Sequence, residues 1–165
     1  MSLKSKTLTY IFLNGRKDRI NSKLNFPYEF FYGYNFLINF YDENNLIEFN
    51  YQNKSLLLGF FEKLLNKLSD LPFFFQYIMT LENYKIIKNS DDIVMTNQRV
   101  AFSSVLMIFL GKLRKEINVH VFIMGLLNRK VNYRIKGLFR RIFIRILFSI
   151  SKKLFFLSEG EYKYA

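Results

Sequence analysis

The stretch Asp91–Leu127, DDIVMTNQRVAFSSVLMIFLGKLRKEINVHVFIMGLL, decides the fold of this chain. It opens with a short β-rich run at 93–96 and a polar break at 96–99. A mostly apolar segment at 100–113 follows, long enough for a helix, and then a second β-branched run at 118–124. Continuous apolar strands are typical of a parallel sheet that is covered on both faces. The stretch therefore predicts a right-handed β-α-β unit.

The rest of the chain repeats this alternation. Strands are predicted at 7–13, 46–51 and 153–157, helices at 28–40, 55–68, 73–80 and 131–150, a turn at 42–45, and a linker or helix end at 82–89. Ser158 and Glu161 have the spacing of a capping box, which predicts the start of another helix. Alternation of this kind predicts one α/β domain, a doubly wound, mostly parallel Rossmann-like sheet flanked by helices. Because the chain stops about one turn into its last helix, residues 1–165 are expected to be a truncated chain.

The composition excludes several classes of site and of protein. The chain has no cysteine and one histidine, His120, which excludes disulfides and thiolate sites, and no metal is expected. His120 lies in the middle of a predicted strand, where packing is its expected role. No signal peptide is recognised at the N-terminus, and the longest uncharged stretches are 12 residues, such as Val100–Gly111. That is short of the roughly 20 residues that span a bilayer, so no transmembrane helix is expected.

The positive charge is concentrated in the second half of the chain. Residues 1–95 carry 11 basic and 10 acidic side chains, whereas residues 96–165 carry 14 basic and 3 acidic ones. Nearly all of the net charge of +12 therefore lies in the last 70 residues. Such asymmetry indicates an anionic partner, which could be a lipid surface, a nucleic acid or a phosphate-bearing substrate.

Polar and glycine residues follow the predicted strands at the edge where open α/β sheets bind ligands. Gly15 and Arg16 follow the first strand, and are either a turn with a solvated arginine or a loop that faces a pyrophosphate. Asn97 and Arg99 are either a helix cap with a polar first turn or contacts to a substrate. Gly125 is either a strand-end turn or a point of close approach to a sugar.

Four segments together resemble the N-terminal, Rossmann-like half of a GT-B glycosyltransferase of the family 4-like kind. They are Tyr10–Arg16 (YIFLNGR), Asp91–Asn97 (DDIVMTN), Val119–Gly125 (VHVFIMG) and Lys153–Glu161 (KLFFLSEGE). The resemblance implies an acceptor-side domain whose partner domain, absent from this chain, binds a nucleotide-sugar donor. It implies transfer of a sugar to a glycan or lipid-linked acceptor, with the nucleotide-sugar as co-substrate.

The resemblance also implies a cleft that includes Ser158 and Glu159. Helix capping by Ser158 and Glu161 accounts for those two residues without any function, while Glu159 is free to contact a ligand. Many relatives carry a catalytic histidine just after the strand that ends here at Gly125. This chain has Gly125-Leu126 at that point, so no catalytic base is assigned.

The predicted helix at 131–150 is strongly basic, and no acid lies between Glu116 and Glu159. Its apolar residues Ile135, Phe139, Ile142, Phe143, Ile146 and Ile150 form a stripe that is expected to face the sheet. Arginines with interleaved apolar residues on the outer face are typical of a membrane interface. The predicted membrane-surface residues are Arg134, Arg140, Arg141, Arg145 and Phe148.

The basic charges of this predicted helix have other interpretations. A solvated basic face and a face covered by the absent domain account for the charges equally well. Nucleic acid is not expected, because the aromatic residues follow core patterns instead of being spaced among the basic ones. The main alternative to an enzyme is a non-enzymatic basic α/β module that docks on an anionic membrane surface. The protein is expected to be cytoplasmic and peripheral on the inner face of the membrane.

Overall fold

The computed structural model describes residues 5–22, 31–124, 126 and 134–156. Five strands are present: β1 Thr7–Phe12, β2 Glu43–Glu48, β3 Asp92–Met95, β4 Asn118–Ile123 and β5 Lys153–Phe156. Six α-helices are described: α1 Lys17–Asn21, α2 Tyr34–Leu37, α3 Leu56–Ser69, α4 Leu81–Asn89, α5 Gln98–Lys112 and α6 Arg134–Ile150. Two 3-10 turns, Ile38–Phe40 and Phe75–Tyr77, complete the described elements.

The strands form one parallel sheet in the order β2-β1-β3-β4-β5. The connection from β1 moves outward to β2, and the chain then returns past β1 to build the other side of the sheet. Reversal of strand order is the mark of a doubly wound fold, and it places the switch point between β1 and β3. The predicted fold class, a doubly wound parallel α/β sheet flanked by helices, is confirmed.

The two faces of the sheet bury different cores. The larger core joins Ile11, Ile93 and Val121 to apolar side chains of α4, α5 and α6, among them Ile87, Val105 and Leu147. The smaller core, on the opposite face, joins alternate strand residues to the segment around α2 and consists of Leu8, Tyr10, Phe12, Phe31, Tyr34 and Val94. β1 is buried along its whole length because both cores meet on it.

β4 was expected to be buried on both faces, but only one of its faces is fully buried. Val119, Val121 and Ile123 are buried under the helices, whereas His120 and Phe122 on the other face are only half-buried. The described part of the smaller core covers β1 and β3 and touches β4 only through Phe122. His120 also forms a side-chain hydrogen bond, with its Nε2 atom 3.0 Å from Asp92 Oδ1.

Some element boundaries also differ from the prediction. β2 begins at Glu43, inside the predicted turn, because its ladder with β1 pairs Thr7 with Glu43 and Phe12 with Glu48. The segment at 82–89 is a full helix, capped by Thr80, whose side chain accepts from the Asn83 amide at 3.1 Å. The predicted helix at 73–80 contains only the short 3-10 turn. It is otherwise irregular, because Phe73 and Phe75 are drawn into the larger core.

α6 has the predicted position, but the face predicted to point inward is only partly correct. Ile135, Ile142 and Ile146 of the predicted core stripe are exposed. Ile150 is buried and Phe143 packs against the larger core, as predicted, and the buried face also carries Leu147 and Arg140. The centre of the buried face lies about a quarter of a turn from the centre of the predicted stripe.

Two of the predicted membrane-surface residues are therefore wrong. Arg140 is buried, with an exposed fraction of 7%. Phe148 packs against the larger core, edge-on to Phe156 with ring centroids 6.5 Å apart. Arg141 and Arg145 are exposed as predicted. Arg134 begins α6, and its side chain lies outside the described part of the chain.

Candidate functional site

A pocket of about 420 Å³ opens at the carboxyl edge of the sheet, beside the ends of β3 and β4. Pockets of this volume suit ligands of the size of a sugar phosphate. The end of α3, the start of α5, the segment after β4 and one turn of α6 form its walls. The residues that line it are Asn66, Asp70, Leu71, Pro72, Gln98, Arg99, Met124, Leu126 and Arg140.

The start of α5 is held in place by three side chains. Thr96 donates its hydroxyl to the Ile11 carbonyl at 3.1 Å, which ties the end of β3 to β1. Asn97 caps the helix, and its Oδ1 atom accepts from the Val100 amide at 3.1 Å. Gln98 reaches across to Met124, whose amide donates to Gln98 Oε1 at 3.1 Å and whose carbonyl accepts from Gln98 Nε2. These hydrogen bonds hold the start of α5, which follows β3, against the end of β4.

The wall opposite is built by two more side chains that bind backbone groups. Asn66 pairs with both backbone groups of Phe73, at 2.8 and 3.1 Å. Arg140 donates to the carbonyls of Asp70, at 3.2 Å, and of Leu126. Asp70 ends α3 in the left-handed conformation, with φ 54°, which turns its carbonyl toward Arg140. A pocket rim held by side-chain bonds to backbone is rigid before any ligand enters.

The electrostatics of the pocket favour an anion. The amides of Gln98 and Arg99 belong to the first turn of α5 and have no intrahelical acceptor, so the positive end of the helix dipole points at the pocket. The Arg99 side chain is exposed at the rim and forms no ion pair with a described residue. Asp70 lies beside Arg140, with its Oδ2 atom 4.0 Å from Nη1. Arg99 is thus the cation at the rim that a ligand can use.

The predicted loop after β1 is arranged differently. Gly15 has φ +67°, a conformation that favours glycine, but a Cβ there would meet nothing within 4 Å. The amides of Arg16 and Lys17 both donate to Glu48 Oε1, at 2.5 and 2.8 Å. A carboxylate of the protein thus already occupies these two backbone donors. Burial and the nearby Arg19 lower the pKa of Arg16.

The predicted site residues are only partly brought together. Arg99 lines the pocket and Asn97 caps the helix that forms its wall, whereas Gly15 and Arg16 are not among its lining residues. Gly125, Ser158 and Glu159 lie outside the described residues. Sequence reasoning missed Asn66, Gln98 and the inward role of Arg140. Gln98 lies in the polar break that was recognised at 96–99. No sequence pattern indicated that Asn66 or Arg140 would lie beside it.

In the described part of the chain, no three or more His, Cys, Asp or Glu side chains are grouped in a way that could hold a metal ion. None of the described helices combines the length and the apolar character needed to cross a bilayer.

No protein-family model and no curated protein matches the chain. One similar solved structure is a protein of unknown function from Vibrio parahaemolyticus, with 10% sequence identity and a TM-score of 0.41. The alignment covers 96% of this chain and 98% of that one. Likeness at this level carries no argument about function.

Proposed function

We propose that the pocket beside β3 and β4 binds the phosphate group of an acceptor substrate, and that the chain is the acceptor-side domain of a glycosyltransferase. The sugar would come from a nucleotide-sugar donor held by a separate domain. The acceptor class is a glycan or a lipid-linked phosphate. The phosphate site is the part of this proposal that the geometry supports best.

One observation carries the phosphate site. Arg99 and the free amide end of α5 meet at an open pocket whose rim is already held in place by Gln98, Asn66 and Arg140. A guanidinium pairs with phosphate through two parallel hydrogen bonds, and a helix N-terminus adds oriented donors for the same group. Both features converge on the edge of the sheet where ligands bind in open α/β folds.

The support for glycosyl transfer is the resemblance of the four segments quoted above. Their described parts run along β1, β3, β4 and β5 and end at one edge of the sheet. No catalytic base is assigned, because His120 lies within β4 and pairs with Asp92 near the opposite edge. We also propose that the protein is cytoplasmic and associates peripherally with the inner face of the membrane.

Titration with phosphate ligands tests the site directly. Inorganic phosphate, glucose 1-phosphate and a short isoprenyl phosphate are added to the chain, and binding is measured by calorimetry and by amide NMR shifts. Arg99→Gln removes one charge-assisted contact, which is worth about 1.5–3 kcal/mol, so we expect affinity to fall about tenfold or more. Because Arg99 is exposed, this variant is expected to fold normally.

Arg114→Gln is the matched control, since Arg114 is also exposed and lies beyond the other end of α5. Equal loss in both variants would mean that only net charge matters and would overturn the site. Turnover is tested separately on the full-length protein, which would include the donor-binding domain, in cell membranes with nucleotide-sugar donors and an isoprenyl phosphate acceptor. Phosphate binding without any turnover would remove the glycosyltransferase assignment and leave a non-enzymatic module.

A further inference from the structure

The outer face of α3 is apolar. Leu57, Phe60, Phe61 and Leu64 have the spacing of an amphipathic stripe, yet all four are exposed, Leu57 by 73% and Phe60 by 65%. The inward face of the same helix carries Leu58 and Leu65, which pack against the larger core, and the buried polar residues Glu62 and Ser69. The more apolar face of α3 thus points away from the protein.

α6, which packs beside α3, also exposes an apolar stripe in addition to the apolar residues on its inward face. Its exposed stripe consists of Ile135, Leu138, Ile142 and Ile146. A protein surface rarely exposes large apolar patches unless they bind something. We call the two stripes together the outer apolar surface.

Cations, and not acids, accompany this surface. Lys63 and Lys67 flank the α3 stripe, four residues apart, and Arg141 and Arg145 repeat this arrangement on α6. All four are exposed. The sole acid within the two helices is Glu62, which is buried and accepts from the Gln76 side chain at 3.3 Å. Within α3 and α6, the exposed charged side chains are therefore all positive.

We propose that the outer apolar surface of α3 and α6 is the face that docks on an anionic lipid bilayer. Apolar side chains in line with flanking lysines and arginines form the pattern of helices that lie in the membrane interface. Anionic headgroups meet the four cations while the stripes enter the acyl boundary. A second copy of the chain fits less well, because it would bring the same cations against each other.

This inference rests on the peripheral association proposed above and gives it a surface. It also changes the set of membrane-surface residues that the sequence predicted. Arg140 and Phe148 point into the protein and are removed from the set, and residues of α3 are added to it. The docking residues are separate from the pocket-lining residue Arg99, so the two proposals fail independently.

Co-sedimentation of the chain with lipid vesicles tests the docking surface. Vesicles of phosphatidylcholine alone are compared with vesicles of equal parts phosphatidylcholine and phosphatidylglycerol. We expect binding to the anionic vesicles only, weakening as salt rises because exposed charges are screened. The variant Arg141→Glu with Arg145→Glu is expected to reduce the vesicle partition coefficient at least tenfold. Lys54→Glu with Lys85→Glu changes the net charge equally at other exposed positions and is expected to keep most of the binding.

The apolar contribution is tested with a second matched pair. Phe60→Ser with Phe61→Ser removes two exposed rings of α3, and is expected to reduce partitioning at least tenfold. Phe36→Ser with Phe40→Ser removes two rings that are 66% and 62% exposed beside the smaller core, and is expected to leave partitioning unchanged. Circular dichroism checks that each variant folds.

Three results would overturn the proposal. They are no binding of the folded chain to anionic vesicles, equal loss in a test variant and its control, and a dimer that Phe60→Ser with Phe61→Ser dissociates while vesicle binding is unchanged. A failure of vesicle binding with phosphate binding intact would leave the pocket proposal standing. Retained vesicle binding in Arg99→Gln would show that the membrane is not simply filling the pocket.

Discussion

Replacing Arg140 with methionine tests whether a buried guanidinium holds the pocket wall together. Arg140 is 7% exposed and donates to the Asp70 and Leu126 carbonyls, which belong to segments 56 residues apart in the chain. Methionine retains most of the stem of the side chain but offers no donor. The variant therefore leaves both carbonyls without their guanidinium donor, while packing along the stem is largely preserved.

The expected loss of stability is several times larger than for a surface arginine. Hydrogen bonds from a charged donor contribute about 1.5–3 kcal/mol each, so two of them amount to roughly 3–6 kcal/mol. Methionine also removes the cost of burying a charge, which offsets part of this loss. We therefore expect the free energy of unfolding to fall by about 3 kcal/mol. In a chain of this length that corresponds to a melting temperature lower by about 6–12 °C.

Urea unfolding followed by circular dichroism measures the difference, with Arg141→Met as the control. Arg141 is the next residue along α6 but is exposed, so its replacement is expected to change stability by less than about 0.5 kcal/mol. The stability of Arg140→Lys is expected to lie between those of Arg140→Met and Arg141→Met, because one ammonium group cannot reproduce the two-pronged guanidinium contact with both carbonyls. If the two methionine variants were equally stable, Arg140 would be solvated, and both the pocket wall and the inward face assigned to α6 would be wrong.

Two further predictions concern backbone conformation and pH. Gly15→Ala is expected to lower the free energy of unfolding by about 1 kcal/mol, since a backbone φ of +67° strains any residue that has a side chain. Gly137→Ala, in open space on α6, is expected to raise it by about 0.5–1 kcal/mol, because alanine favours a helix more than glycine does. Thermal melts of both variants measure the two changes, and changes of equal sign would contradict the assigned conformations. Burial raises the pKa of Glu62 above its usual value of 4.5, against the opposing hydrogen bonds from Gln76, so the folded state holds its proton more tightly than the unfolded state. Stability from this group is therefore present below pH 4.5 and is lost as pH rises through the raised value. Glu62→Gln is expected to flatten that dependence in melts across acidic to neutral pH, and an unchanged slope would contradict it.

The position of Arg99 could be predicted from the sequence, because a residue that directly follows a strand lies at the carboxyl edge wherever the sheet forms. Asn66 and Arg140 could not be placed there. They are 74 positions apart in the chain, on two different helices, and the pocket exists only because α3 and α6 pack together. Glu48 is a similar case, since its contact with the amides of Arg16 and Lys17 depends on the pairing of β2 with β1.

The order and type of the main elements follow from local patterns in the sequence. Runs such as 93–96 and 118–124 form strands because β-branched residues suit an extended backbone, and the alternation with apolar helices leads to a doubly wound parallel sheet. Local patterns also place the cap at Asn97, whose side chain bonds an amide three residues on. These features depend on neighbours within a few residues, so the sequence by itself determined them.

Tertiary structure decided which way the helices face. The sequence pattern of α6 marks an apolar stripe, but a stripe can face the core or an outside partner with the same periodicity. In the folded chain the loop carbonyls of Asp70 and Leu126 lack strand or helix partners and accept from Arg140, because buried carbonyls are costly when unpaired. That contact accompanies a rotation that sends Ile135 and Ile142 outward, and the protein gains a rigid pocket and an apolar outer surface together.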